Sequence, residues 1–201
     1  AVIDSQGKRT VVDNITLARA PDATSLIHRS ARLRGTWVPS RTVFLDNRQM
    51  NAKPGFYVLT PFMLEGTSLA VIVQRGWVGR DFLDRSKVPA VPATRGIVEF
   101  EGRIAPPPSK LYEMGDAGSG LIRQNLDLAR FRAETGLPLM PVSIQQTGAG
   151  SEGMLRDWPM VGSGSDKNYG YAFQWFGLCA LIAILYVWFQ IGKRFLAPRR
   201  A

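Results

Sequence analysis

The side chains able to do covalent or metal chemistry in this chain are few. His28 is the only histidine and Cys179 the only cysteine among 201 residues. A single imidazole excludes a two-histidine metal site. Cys179 lies inside an uncharged apolar run, so it forms no intrachain disulfide and no soluble thiol–imidazole couple. The serines lack a nucleophile-elbow motif, and any serine triad would have to use His28. Gly115 to Gly120 reads Gly-Asp-Ala-Gly-Ser-Gly, with neither the spacing nor the trailing lysine of a phosphate-binding loop. Glu99 and Glu101 fall on one strand face and read as solvated rather than as a catalytic pair. We therefore expect no catalytic residues, no metal site and no enzyme. What remains is recognition chemistry. Arg48 and Arg75 could grip carboxylates of a ligand or of an acidic partner, or form internal salt bridges. Trp77, beside Gly76, reads as a packing residue.

Charge and hydropathy then place these groups. There are 25 Lys and Arg against 16 Asp and Glu, a formal net charge of +9, and Lys193, Arg194, Arg199 and Arg200 supply four of the cations at the end. No nucleic-acid motif accompanies this mild excess, so nucleic acid is not an expected partner, whereas membrane lipid or an acidic protein is. Asn168 to Gly192 carries no charged side chain. A helix over Tyr171 to Ile191 would be about 31 Å long, the thickness of a hydrocarbon core of about 30 Å. Tyr169, Tyr171, Trp175 and Phe176 mark one end, and Tyr186, Trp188 and Phe189 the other, as in an interfacial belt. The cationic C-terminal flank predicts a cytoplasmic tail, hence a domain on the extracytoplasmic side of the inner (cytoplasmic) membrane. A domain so placed must be exported, which predicts an N-terminal signal or transmembrane segment ahead of residue 1. Gly177, Cys179, Ala180 and Ala183 are small and would let the anchor approach another membrane helix closely.

Before the anchor the patterning is mostly of period two. Ala31, Leu33 and Trp37 alternate with Arg32, Arg34 and Thr36, which predicts a half-buried strand, with Thr42 to Leu45 as its hairpin partner across Pro39-Ser40-Arg41. Phe56–Leu59 and Leu69–Val73 read as strands turning at Gly66-Thr67, and strands are also expected around Val98–Ile104 and Val142–Ile144. A helix is expected after an Asn125 N-cap, with Leu126, Ala129 and Ala133 on one face and Gly136 closing it. Asp22 to Arg29 suggests a short helix. The fold class is α+β: an antiparallel, β-rich or barrel-like extracytoplasmic domain with one or two helices, plus a C-terminal transmembrane helix. The expected divisions are an N-terminal polar segment over 1–30, the β-domain over 31–146, a flexible tether over 147–168, the transmembrane helix over 169–192 and a basic tail over 193–201. Ser86 to Arg95 and Pro106-Pro107-Pro108 read as loops.

Several short stretches, in order, resemble one family. They are Arg34-Gly35-Thr36-Trp37, Leu45-Asp46-Asn47-Arg48, Pro54-Gly55-Phe56-Tyr57-Val58-Leu59-Thr60-Pro61, Val73-Gln74-Arg75-Gly76-Trp77-Val78, Glu101-Gly102-Arg103, Asn125-Leu126-Asp127 and Tyr171-Ala172-Phe173-Gln174-Trp175-Phe176. The set is similar to the surfeit locus protein 1 family, assembly factors of haem–copper cytochrome c oxidase, over roughly residues 30 to 195. The resemblance implies two transmembrane helices around an extracytoplasmic domain, cytochrome c oxidase subunits (subunit I above all) as partners, and haem a as a cofactor. It implies Asn168, Tyr171 and Trp175 as the cofactor-binding positions, and Arg48, Arg75, Gly177 and Ala180 as partner-binding ones. One departure stands out: the family's usual histidine, three residues before the tyrosine of Tyr-Ala-x-Gln-Trp-Phe, is Asn168 here, and an amide is a poor iron ligand beside imidazole. A haem-free membrane-tethered scaffold or binding module is the alternative that this departure keeps open.

Overall fold

The computed structural model of the chain describes residues 11–81, 88–92, 94–108, 120–158 and 165–192, the last stretch with side chains over 173–190. In chain order the elements are α1 (Asn14–Arg19), a 3-10 turn (Ala23–Leu26), β1 (Ser30–Trp37), β2 (Val43–Met50), β3 (Lys53–Leu64), β4 (Ala70–Gly79), β5 (Val98–Ala105), β6 (Ile122–Arg123), α2 (Leu128–Thr135), β7 (Leu139–Gln146) and α3 (Ser165–Val187). A single π-helical turn, Trp188–Gly192, continues α3. They form two units, the β-domain through Trp158 and the apolar helix after it.

Alternation decides β1. Ala31, Leu33 and Gly35 face inward while Arg32 and Arg34 stay in solvent. The inward set packs on β5, where Leu33 lies opposite Phe100. From β5 the sheet runs to β7, then to β4 and β3, and β3 returns to β1 through Gly35↔Leu64 and Trp37↔Phe62. The sheet thus closes into a five-stranded barrel, β1-β5-β7-β4-β3-β1. Numbered by their order in the chain, its strands run 1-4-5-3-2-1, with the third and fifth (β4 and β7) parallel. That is the Greek-key connectivity of an OB-type barrel. Leu33, Phe62, Val71, Val73, Phe100, Val142 and Ile144 fill the interior. Trp37, Phe62 and Phe100 meet there with ring centroids 4.7 to 5.3 Å apart.

The closing seam tolerates no side chain at Gly35. A Cβ there would stand 1.9 Å from the Met63 carbonyl oxygen and 2.9 Å from the Phe62 ring. β3 is long enough to serve two partners: its N-terminal half pairs with β2, its C-terminal end with β1. On the outside of the barrel, α2 lays Phe131 against Val43, Leu45, Leu59 and Ile72. Arg123, on β6, ties this helix down, donating through Nη1 and Nη2 to the two carboxylate oxygens of Glu134 at 2.9 and 2.5 Å while lying 5.2 Å above the Phe131 ring.

Several sequence expectations change. The strand over 42–45 exists as part of β2, but it pairs with β3 and β6, not with β1. The sheet is not wholly antiparallel, since β2–β6 and β4–β7 are parallel. The α2 N-cap is Asp127, whose side chain accepts from Arg130 N–H, and the buried residue of the helix is Phe131 while Ala129 and Ala133 face solvent. Gly136 closes the helix at φ 69° as expected. Residues 11–29 belong to the β-domain: Val12, Leu17 and Ala23 are buried in its core, and Asp13 and Asp22 cap the two short helical turns. Thr147 to Trp158, expected within the tether, is packed on the sheet through a two-way backbone pairing of Leu155 with Trp77. The glycine run before Gly120, residues 86, 87 and 93 of the 86–95 loop and the basic tail over 193–201 lie outside the described residues.

In α3 and its terminal turn, Phe173–Gln190 has a mean hydropathy of 1.6 and no residue buried. Phe173, Trp175, Phe176, Ile184 and Trp188 all stand open. The helix is long and apolar enough to cross a membrane, and its apolar side chains lack the protein cover that a core helix of a water-soluble domain would have.

The seam and the α2 contact can each be tested. Gly35→Ala should cost about 3 kcal/mol or more by overpacking the seam, read as a fall in Tm of roughly 6–12 °C; an unchanged Tm would contradict a closed barrel. The Arg123 hydrogen bonds, ahead of its charge, hold the Glu134 carboxyl below its ordinary pKa. A lowered folded pKa adds stability above the unfolded value that is lost as pH falls through the folded one. The Tm advantage of the native chain over Glu134→Gln should therefore be full at neutral pH and shrink toward zero in acid.

Candidate functional site

Four of the stretches that carry the family resemblance, those in β1, β2, β3 and β4, come together along β3 and around Arg75 and Trp77. β4 is buried along nearly its whole length because the barrel lies on one side, and α2, the segment 147–158 and the 88–92 loop on the other. Arg75 sits in this position with 1% of its surface exposed. Its guanidinium carbon lies 4.6 Å from the centroid of the Trp37 ring, a distance at which a cation and the indole face attract. Nη2 donates to the Pro92 carbonyl at 2.7 Å and pairs with the Glu152 carboxylate. Glu152 itself takes a left-handed φ of 57°.

A second arginine completes the fastening. Arg156 donates through Nε to the Arg75 carbonyl at 2.9 Å, through Nη1 to the Ala149 carbonyl at 2.7 Å and through Nη2 to Ser151 Oγ at 2.9 Å. Burial pushes its pKa down; the Glu152 charge opposes that shift and the Arg75 charge adds to it. Gly76 is tightly covered here, since a Cβ would stand 2.6 Å from Met154 Cβ. Trp77 Nε1 donates to the Arg48 carbonyl at 2.9 Å. Arg48, 5% exposed, donates through Nη2 to the Gln124 carbonyl and lies 5.8 Å from the Tyr57 ring. Burial lowers the Arg48 pKa and raises that of Tyr57, each partly offset by the other group. Tyr57 meets Trp158 edge-on at 5.2 Å, Trp158 Nε1 donates to the Gln146 carbonyl at 2.8 Å, and Asn51 donates to Asp157 at 3.0 Å.

Of the two roles open to the arginines, the structure shows the internal one. Arg75 and Arg48 are both buried and spend donors inside the domain. Trp77 packs, as expected. Sequence reasoning misses Glu152, Arg156 and Trp158. A lone tryptophan and an Arg-Asp pair inside a Gly- and Ser-rich stretch are the signal available. His28 does not precede the domain but lies within it, its backbone N–H donating to the Ile104 carbonyl at 2.7 Å.

The remaining candidates sit on α3. Asn168 and Tyr171 fall on its first two turns, with side chains outside the described atoms. Trp175 is 67% exposed, and Gly177 and Ala180 are open, with nothing within 4 Å of a Cβ built at Gly177. Among the described residues no group of three His, Cys, Asp or Glu could hold a metal ion. Residue 168 is an amide, a poor axial iron ligand beside imidazole, and the one imidazole of the chain belongs to the β-domain. The arrangement can fasten chain segments and present surfaces; among the described residues it contains no nucleophile–base pair.

A family model of the SURF1 family matches residues 1–180. The chain is similar to a SURF1-like protein of Rickettsia bellii, 25% identical over 195 residues, which cover 92% of this chain and 76% of the relative. It is similar also to a SURF1-like protein of Rickettsia prowazekii, 24% identical over 204 residues, covering 98% of this chain and 81% of that protein.

Glu152 is the counter-charge of a buried guanidinium that cannot deprotonate. Glu152→Gln should therefore destabilise the β-domain by about 2 kcal/mol, a fall in Tm of roughly 4–8 °C. A Tm within a degree of the native value would show that the pair fastens nothing.

Proposed function

This chain belongs to the SURF1 family, and on that premise we propose that it is an assembly or accessory factor of haem–copper cytochrome c oxidase rather than an enzyme. It works by holding a β-barrel domain at the outer face of the inner membrane and contacting the oxidase, subunit I above all. The observation that carries this reading is α3: a helix with the length and hydropathy of a membrane span, its apolar side chains open and its small residues available to a neighbouring helix. Set in a bilayer with the cationic 193–201 tail in the cytoplasm, it leaves the β-domain outside.

The division of labour follows from the two units. The helix supplies the in-membrane contact through Gly177 and Ala180. The barrel supplies a rigid body whose fastened 147–158 segment leads into the anchor after residues 159–164. We route no step through haem, because residue 168 offers an amide. The partner contact alone accounts for stabilising subunit I during assembly, which makes a haem-free scaffold our form of the proposal.

Extraction of the full chain in mild detergent should bring down oxidase subunit I, and deletion of the chain should lower assembled oxidase. Absence of oxidase subunits from the extract, together with full oxidase activity in the deletion strain, would overturn the proposal. A stoichiometric haem a spectrum from the chain purified away from the oxidase would overturn its haem-free form alone.

A further inference from the structure

Beside the Arg75 cluster, and sharing Arg156 with it, an open cleft of about 640 Å³ lies between the β1–β5 edge and the segment 147–158, a size suited to a small ligand. Its wall includes His28, Glu101, Arg103, Arg156, Asp157 and Trp158. Backbone pairing builds it. Ser30 lies opposite Arg103, Arg103 opposite Gln145, and Thr147 N–H donates to the Glu101 carbonyl at 3.0 Å. His28 holds a left-handed φ of 74° at this wall, a conformation uncommon outside glycine and found clustered at binding sites.

The cleft is lined by two cations, Arg103 and Arg156, and by two carboxylates, Glu101 and Asp157, both of which are engaged by groups outside the lining. Glu101 is committed to Arg32, accepting from Nη2 at 2.6 Å and Nε at 3.2 Å. Asp157 accepts from Asn51. Among the described residues neither Arg103 nor Arg156 has a carboxylate partner within salt-bridge distance: Arg156 donates to neutral oxygens, and Arg103 makes one contact, with Gln145 Oε1 at 3.3 Å. Among the described residues no hydrogen bond engages the His28 imidazole. Guanidinium forks with spare donors, an imidazole able to donate, and the half-buried Trp158 indole beside them make a receptor for an oxyanion on a small amphipathic molecule.

We propose that this cleft binds an oxyanion, the phosphate group of an anionic lipid headgroup or of a small soluble phosphate. Arg103 is the main anion contact, because its donors are the least committed. Arg156 supplies fixed positive charge from the far wall, and Trp158 packs against the body that carries the phosphate. Only residues 159–164 separate Trp158 from the first residue of α3, so the wall of the cleft continues in sequence into the chain that leads to the membrane helix.

Because His28 is the only histidine, the full chain labelled with 13C-histidine in neutral maltoside micelles reports the cleft through a single imidazole signal. At fixed pH and ionic strength it is titrated with inorganic phosphate, with short-chain phosphatidylglycerol, and with short-chain phosphatidylcholine. A saturable shift with phosphatidylglycerol alone identifies a lipid headgroup site. A saturable shift with inorganic phosphate identifies a soluble-phosphate site. In either case Arg103→Gln, with its Tm unchanged, should weaken the affinity at least tenfold. A signal that moves with none of the three, that moves equally with phosphatidylcholine and phosphatidylglycerol, or that is unaffected by Arg103→Gln overturns the proposal. The outcome is independent of oxidase copurification.

Discussion

A guanidinium cannot give up its charge, and Arg75 keeps that charge where almost no water reaches. Taking such an ion out of water costs several kcal/mol, and the fold offsets this only if its surroundings are arranged to do so. Three groups together compensate it here. They are the Trp37 face on β1, the Pro92 carbonyl from the 88–92 loop, and the Glu152 carboxylate from the segment after β7. Each comes from a different part of the chain. Arg75 can be buried only when all three have converged, so satisfying it fixes the loop and the terminal segment onto the barrel. Arg156 repeats the device one layer out, holding the Arg75 backbone carbonyl and the turn at Ala149 and Ser151 together.

The barrel supplies the frame for this. Closure between β1 and β3 requires a bare backbone at Gly35, and the cover over β4 requires one at Gly76. With β4 enclosed on both faces, its sequence loses the alternation of a half-exposed strand and reads as a continuous run of Val, Ile, Gln, Arg, Gly and Trp. The result is a β-domain whose order extends through Trp158. Family membership, the open apolar helix and this ordered domain all support the proposed arrangement, in which a membrane-spanning helix holds the barrel at a membrane surface.

Local patterning makes the strands legible and leaves their partners obscure. Leu33 and Phe100 alternate cleanly with charged neighbours, so β1 and β5 can be read directly. The β3–β4 hairpin can be read from the turn at Gly66-Thr67. Thr42 to Leu45 looks like a hairpin partner of β1 because it follows so closely, but the short 3-10 turn at Pro39–Arg41 carries it past β1 to the N-terminal half of the same β3 edge. That choice depends on residues remote in sequence. The arginines are visible in the sequence but their burial is not, since the groups that compensate Arg75 lie 17, 38 and 77 positions from it. The 147–158 segment misleads for a related reason: its glycines and serines resemble a linker, and the few residues that fasten it, Glu152, Met154, Arg156 and Trp158, act only against a sheet already formed. The apolar helix is the most legible element, because a span is specified by composition and length alone.

That the β-domain continues in order through Trp158, held there by Arg75, is tested most directly by amide hydrogen exchange on the full chain in detergent. The Leu155 amide, which donates to the Trp77 carbonyl at 2.9 Å, should exchange at the slow rate of the β4 and β7 core and respond to denaturant together with it. Exchange of Leu155 and Met154 at the rate of unstructured chain, while β4 stays protected, would contradict the account.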